Sequence, residues 1–150
     1  LFKIFCILII FYVNLFCASL EFAYEYKFEL KKDQMARVAV RLNSEDKQRE
    51  IEYFNFRWTL YDATNMIVHS WWRKYPRHMS VSLRNGLKEY DQLLFEPKEN
   101  FPKDEVRLYL AFLKYEKGIA TFMVYIKDEA NRVEVKFIDP KKPNNTNNQG

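Results

Sequence analysis

The chain has 150 residues, of which 48% are hydrophobic, 29% charged and 17% aromatic, with a formal net charge of +4. That length admits one domain with a short extension, and the mix of charge with aromatic residues excludes a wholly disordered chain. A single apolar run near spanning length excludes a polytopic membrane protein, and three glycines with no glycine-rich loop argue against a phosphate-cradling nucleotide enzyme.

Residues 1–19 read as a secretory signal peptide. Lys3 precedes an apolar stretch from Ile4 to Val13, and Cys17-Ala18-Ser19 supplies small residues for a cleavage site. Cleavage after Ser19 puts small side chains at both positions the peptidase inspects, whereas cleavage after Ala18 puts Phe16 at one of them. The competing reading is an uncleaved anchor, because Ile4 to Leu20 lies at the lower limit of spanning length. Bulky Asn14-Leu15-Phe16 ahead of Cys17 disfavours a lipid-modified cysteine. Both cysteines, Cys6 and Cys17, fall in this leader. The domain over 20–139 is therefore expected to lack disulfides, a thiol nucleophile and cysteine metal ligands. Export without disulfides points to the bacterial envelope, periplasmic or secreted, or anchored in the inner membrane and facing the periplasm if the leader is retained.

Strand-like alternation dominates from Phe22 onward. Tyr24, Tyr26, Phe28 and Leu30 form one stripe, and Val38, Val40 and Leu42 the next. Asn43 to Arg49 is a polar loop. Phe54, Phe56, Trp58 and Leu60 alternate with Asn55, Arg57, Thr59 and Tyr61, and Met79, Val81 and Leu83 make a further stripe. Asn85-Gly86 is a hairpin signal, followed by Leu87–Phe95 as a strand or a helical turn, then a loop from Glu96 to Asp104. Val106, Leu108, Leu110 and Phe112 begin a three-strand meander. Its first turn is Glu116-Lys117-Gly118, with glycine left-handed, and its second is Asp128-Glu129-Ala130-Asn131. Residues 140–150 form a polar tail expected to be disordered. Eight or nine short strands predict an all-β antiparallel sandwich, immunoglobulin-like or similar, or alternatively an up-and-down barrel with an interior cavity.

Pairing across 54–83 can be tested for consistent facing. A three-residue loop Ala63-Thr64-Asn65, with Asn65 left-handed, sets Leu60 against Val68, Trp58 against Ser70 and Phe56 against Trp72. A turn at Tyr75-Pro76 then sets Trp72 against Met79 and Arg73 against His78. Both turns keep Phe56, Trp58, Leu60, Val68, Trp72, Met79, Val81 and Leu83 on a core face. Adjacent Trp71 and Trp72 must point opposite ways in a strand, so Trp71 leaves the core. It joins Asn55, Arg57, His69, Arg73 and His78 on a cationic-aromatic face. Tryptophan stacks on sugars or apolar groups and arginine pairs with carboxylate or phosphate. A solvated face on which Trp71 merely covers Arg57 explains the same pattern without a ligand.

Chemistry beyond binding finds little support. In this pairing His69 and His78 stand four pairs apart, on the order of 13 Å, too far for a shared ion, so no metal and no cofactor are expected. No nucleophile motif is present, and paired carboxylates such as Glu50 and Glu52 fit a solvated face. Nucleic acid is not expected as a partner, given the interspersed charge. The expectation is a monomeric or weakly associating, non-enzymatic binding or structural domain, contacting an envelope protein or cell-wall polymer through this face. A barrel carrying a small apolar ligand and a hydrolase using His69 or His78 are the alternatives.

Overall fold

The computed structural model describes residues 22–43, 50–83, 89–98 and 102–140. The leader, the polar loop after Asn43, the Asn85-Gly86 turn and the tail beyond Pro140 lie outside them.

The described residues form nine strands and a single 3-10 turn at Pro102–Asp104. The strands are β1 (Tyr24–Lys31), β2 (Ala36–Leu42), β3 (Glu52–Tyr61), β4 (Asn65–Trp72), β5 (Tyr75–Ser82), β6 (Glu89–Phe95), β7 (Val106–Glu116), β8 (Ile119–Lys127) and β9 (Val133–Ile138). Leu87–Phe95, open between strand and helix in the sequence, is therefore strand from Glu89. Two antiparallel sheets result, ordered β1-β8-β7-β6 and β5-β4-β3-β2-β9. They pack face to face as an all-β sandwich, as the alternation predicts. Four consecutive strands share one sheet, an order unlike the ABED and CFG sheets of an immunoglobulin domain.

The barrel alternative is corrected. The sheet edges meet through side chains rather than backbone ladders. At one edge the Tyr24 hydroxyl donates to the Val133 carbonyl at 2.8 Å, and Tyr26 stacks on Phe137 with centroids 4.9 Å apart. At the other, Arg77 reaches the Tyr90 hydroxyl at 3.4 Å. The space between the sheets is filled. Phe28, Phe56 and Phe122 interlock edge to face at 5.5 Å and are fully buried. The buried Trp58 indole donates to the Leu30 carbonyl at 2.9 Å, so its N–H is not stranded in the core.

The expected meander also ends early. β7 and β8 form the predicted hairpin, with Lys117 and Gly118 both left-handed (φ 49° and 82°) between Glu116 and Ile119. β9 instead crosses to the other sheet and pairs with β2. Asp128, buried, directs that crossing: its carboxylate accepts the Arg132 N–H at 2.8 Å and the Val133 N–H at 3.0 Å. An alternating Val133, Val135, Phe137 stripe suits either sheet, so periodicity cannot choose between them.

Both turns within 54–83 differ from expectation, and the faces survive except at Leu60 and Tyr61. The first pairs Tyr61 with Met66, closed by Asp62 N–H donating to the Asn65 carbonyl at 3.1 Å. Ala63, rather than Asn65, is left-handed (φ 68°). The Asp62 carboxylate accepts from the backbone N–H groups of Thr64 and Asn65 and from the Thr64 hydroxyl, at 2.6–3.0 Å. These bonds hold its pKa down to about 2. A bulge between Trp58 and Leu60 then shifts the ladder. Trp58 faces Val68 and Phe56 faces Ser70, two residues from the expected partners. The second turn is Arg73-Lys74, both left-handed (φ 49° and 69°), a two-residue type I′ geometry. Tyr75-Pro76 belongs to β5, where a free sheet edge tolerates proline. This offset is four residues. Even offsets return a side chain to its own face.

Candidate functional site

The outer face of the five-stranded sheet carries three adjoining rows, read from the pairings. One runs Ile138, Arg37, Asn55, Trp71, Pro76 across β9, β2, β3, β4 and β5. The next runs Arg57, His69, His78. On the other side of the first lies Lys136, Ala39, Tyr53. None of these positions is a carboxylate.

Five of the six residues that the sequence singles out share this surface: Asn55, Arg57, His69, Trp71 and His78. Trp71 is half-buried and Trp72 buried, as opposite facing demands. Arg57 lies diagonally beside Trp71, its guanidinium carbon 5.6 Å from the ring centroid. Its Nε is shielded from solvent and has no hydrogen-bond partner among the described residues.

Arg73 does not join them. It occupies the turn, and its guanidinium lies over Trp72 and Phe95, at 5.4 and 5.2 Å from their centroids. It pairs through two nitrogens with Glu52, one bond at 3.0 Å. Its side chain therefore covers the end of the core.

The histidines also move. Instead of standing on the order of 13 Å apart, His69 and His78 are a direct cross-strand pair with ring centroids 4.3 Å apart. The four-residue change of pairing closes that gap. The Thr59 hydroxyl, beside the bulge, lies 2.9 Å from His69 Nε2, and the His69 ring stacks toward Trp71 at 6.4 Å. Burial lowers the His69 pKa, the charges of His78 and Arg57 lower it further, and Asp33 acts in the opposite sense. A neutral His69 is thus favoured near pH 7, and the permanent charge of the face comes from Arg37, Arg57 and Lys136. Among the described residues no group of three or more His, Cys, Asp or Glu assembles to hold a metal ion.

Two leading assignments on β3 are corrected by the bulge. Leu60, expected in the core, is 57% exposed. Tyr61, expected outside, turns inward and packs on Tyr115 with centroids 4.2 Å apart. Arg37, Tyr53 and Lys136 extend the face and are absent from the sequence-derived set. Alternation marks Arg37 as outward, but only the β2–β3 and β2–β9 pairings place it beside Asn55 and Ile138.

Neither protein-family models, nor curated proteins, nor solved structures yield a match to this chain.

Proposed function

We propose that the chain is a non-enzymatic binding domain of the bacterial envelope that engages an acidic partner, protein or cell-wall polymer, through the outer face of the five-stranded sheet. The envelope assignment rests on the composition of residues 1–19. One observation carries the binding assignment: the half-buried Arg57 guanidinium lies over Trp71 and forms no ion pair among the described residues, amid rows without a carboxylate. A carboxylate or phosphate arriving there gains a charge-assisted bond to the terminal nitrogens of an arginine already positioned by its neighbours. Trp71 supplies a stacking surface beside it.

The test is calorimetric titration with poly-L-glutamate at low and high salt, using wild type, Arg57→Gln and Trp71→Ala. Each substitution is expected to weaken binding about tenfold or more, and added salt should weaken the wild type in parallel. Equal affinity of all three proteins, each verified as folded by circular dichroism, removes this face from consideration.

Hydrolysis through His69 is the second reading, favoured by the 2.9 Å contact with the Thr59 hydroxyl. Activated hydroxyls need an adjacent base. Turnover of p-nitrophenyl acetate by wild type but not by His69→Ala favours it over binding.

A further inference from the structure

We infer that the mouth of the sandwich between β5 and β6 is a second binding site, taking a small amphipathic anion with an aromatic body and a single carboxylate, sulfonate or phosphate. It is separate from the outer face and does not depend on it.

In a sandwich, inward positions of a strand are ordinarily apolar and covered by the opposite sheet. On β5 the stripe that includes Val81 and Met79 continues inward through Arg77 to Tyr75. Val81 is buried, but Tyr75 is 75% exposed and Arg77 is also exposed. At the tip of the β4–β5 hairpin, Trp72 is covered by Phe95 of the other sheet, whereas Tyr75 and Arg77 beside it on β5 stay exposed. The facing wall is Leu93, Phe95 and Glu96 at the end of β6, with Arg132 from the β8–β9 crossing. The cleft between them has a volume of about 510 Å³, within the usual range for a small-molecule site.

Charge fixes the sign of the occupant. Arg73, at the back, is neutralised by Glu52. Among the described residues Arg77 makes only a long bond, to the Tyr90 hydroxyl at 3.4 Å. Arg132 donates one nitrogen to the carbonyls of Glu96 and Asp104, leaving most of its five N–H donors for other partners. Among the described residues neither Arg77 nor Arg132 is ion-paired. Among the described residues Glu96 is the one carboxylate in the lining. An exposed tyrosine ring with one guanidinium, Arg77, beside it on β5 and a second, Arg132, across the cleft suits a flat body stacked on Tyr75, its acidic group between Arg77 and Arg132. Inorganic anions use only half of this arrangement, and neutral aromatics the other half.

The test titrates the full chain with 1-anilinonaphthalene-8-sulfonate, with its neutral relative N-phenyl-1-naphthylamine, and with inorganic phosphate, following backbone amide shifts. The sulfonate is expected to shift Tyr75, Arg77, Leu93 and Glu96, and to bind on the order of tenfold more tightly than either control. Arg77→Gln should remove most of that advantage, whereas Arg57→Gln, on the outer face, should leave it intact. Shifts located elsewhere, equal affinity for the neutral compound or for phosphate, or an unaffected Arg77→Gln protein each overturn the assignment. Retained binding by Arg57→Gln separates this site from the poly-L-glutamate face.

Discussion

Trp71 and Trp72 are chemically identical neighbours with opposite roles. The Trp72 indole is 7% exposed and meets Phe95 edge to face at 5.8 Å. Trp71 is half-buried, with Arg57 and His69 as its ring neighbours. Removing a buried indole loses its transfer energy and leaves a cavity, so Trp72→Ala should cost roughly 3–5 kcal/mol. The exposed-side pair is worth far less, and Trp71→Ala should cost about 1 kcal/mol or below. Urea denaturation of both variants checks this ordering, and the reverse ranking would invert the facing of β4. Facing of this kind is legible in sequence, because two consecutive indoles in a strand cannot share a side. The company each keeps is not. Alternation groups Arg73 with Trp71, but a left-handed turn residue does not obey a period of two, and its side chain lies over Trp72 instead.

At the scale of the element, the β3–β4–β5 ribbon explains which parts of the sequence reading survive. The predicted and observed pairings differ by one residue between the first turn and the bulge, by two beyond the bulge, and by four at the second hairpin. Even offsets preserve faces, so outside the Leu60-Tyr61 segment the core stripe and the outer stripe hold while the neighbours within each stripe change. The encounter of His69 with His78 is such a change. Turn chemistry misled because Tyr75-Pro76 carries a proline while Arg73-Lys74 lacks the Asn or Gly usual in a type I′ turn. The bulge between Trp58 and Leu60 breaks the parity itself, since one additional residue reverses everything beyond it. Its consequence is testable within one dipeptide. Leu60→Lys should change stability by about 0.5 kcal/mol or less, because the side chain already faces solvent. Tyr61→Ala should cost roughly 1.5–3 kcal/mol through lost packing on Phe112 and Tyr115. Thermal denaturation of the pair distinguishes a bulged β3 from a regular one, which predicts the opposite order.

For the whole molecule, the decisive event is that β9 leaves the sheet of β7 and β8. It completes the five-stranded sheet beside β2, adds Lys136 to the outer face, and lets Tyr24 and Tyr26 of β1 close the edge against Val133 and Phe137. Without the crossing, β2 would present a bare edge to solvent, with the aggregation hazard such edges carry. Asp128 is placed to enforce the turn. It is buried, and its two oxygens separately accept the N–H groups of Arg132 and Val133, while left-handed Asn131 redirects the chain just before them. Truncating it strands a buried Val133 N–H and removes two charge-assisted bonds. Asp128→Ala should therefore cost roughly 2–4 kcal/mol. Asp128→Asn, which keeps one acceptor oxygen, should cost less. The distinguishing measurement is amide hydrogen exchange across Val133–Ile138. If the carboxylate holds the crossing, β9 amides lose protection in Asp128→Ala before those of the β7–β8 hairpin, which closes through its own Lys117-Gly118 turn. Uniform loss across both sheets would mean that β9 is held by its ladder with β2 alone, and that Asp128 contributes only to global stability.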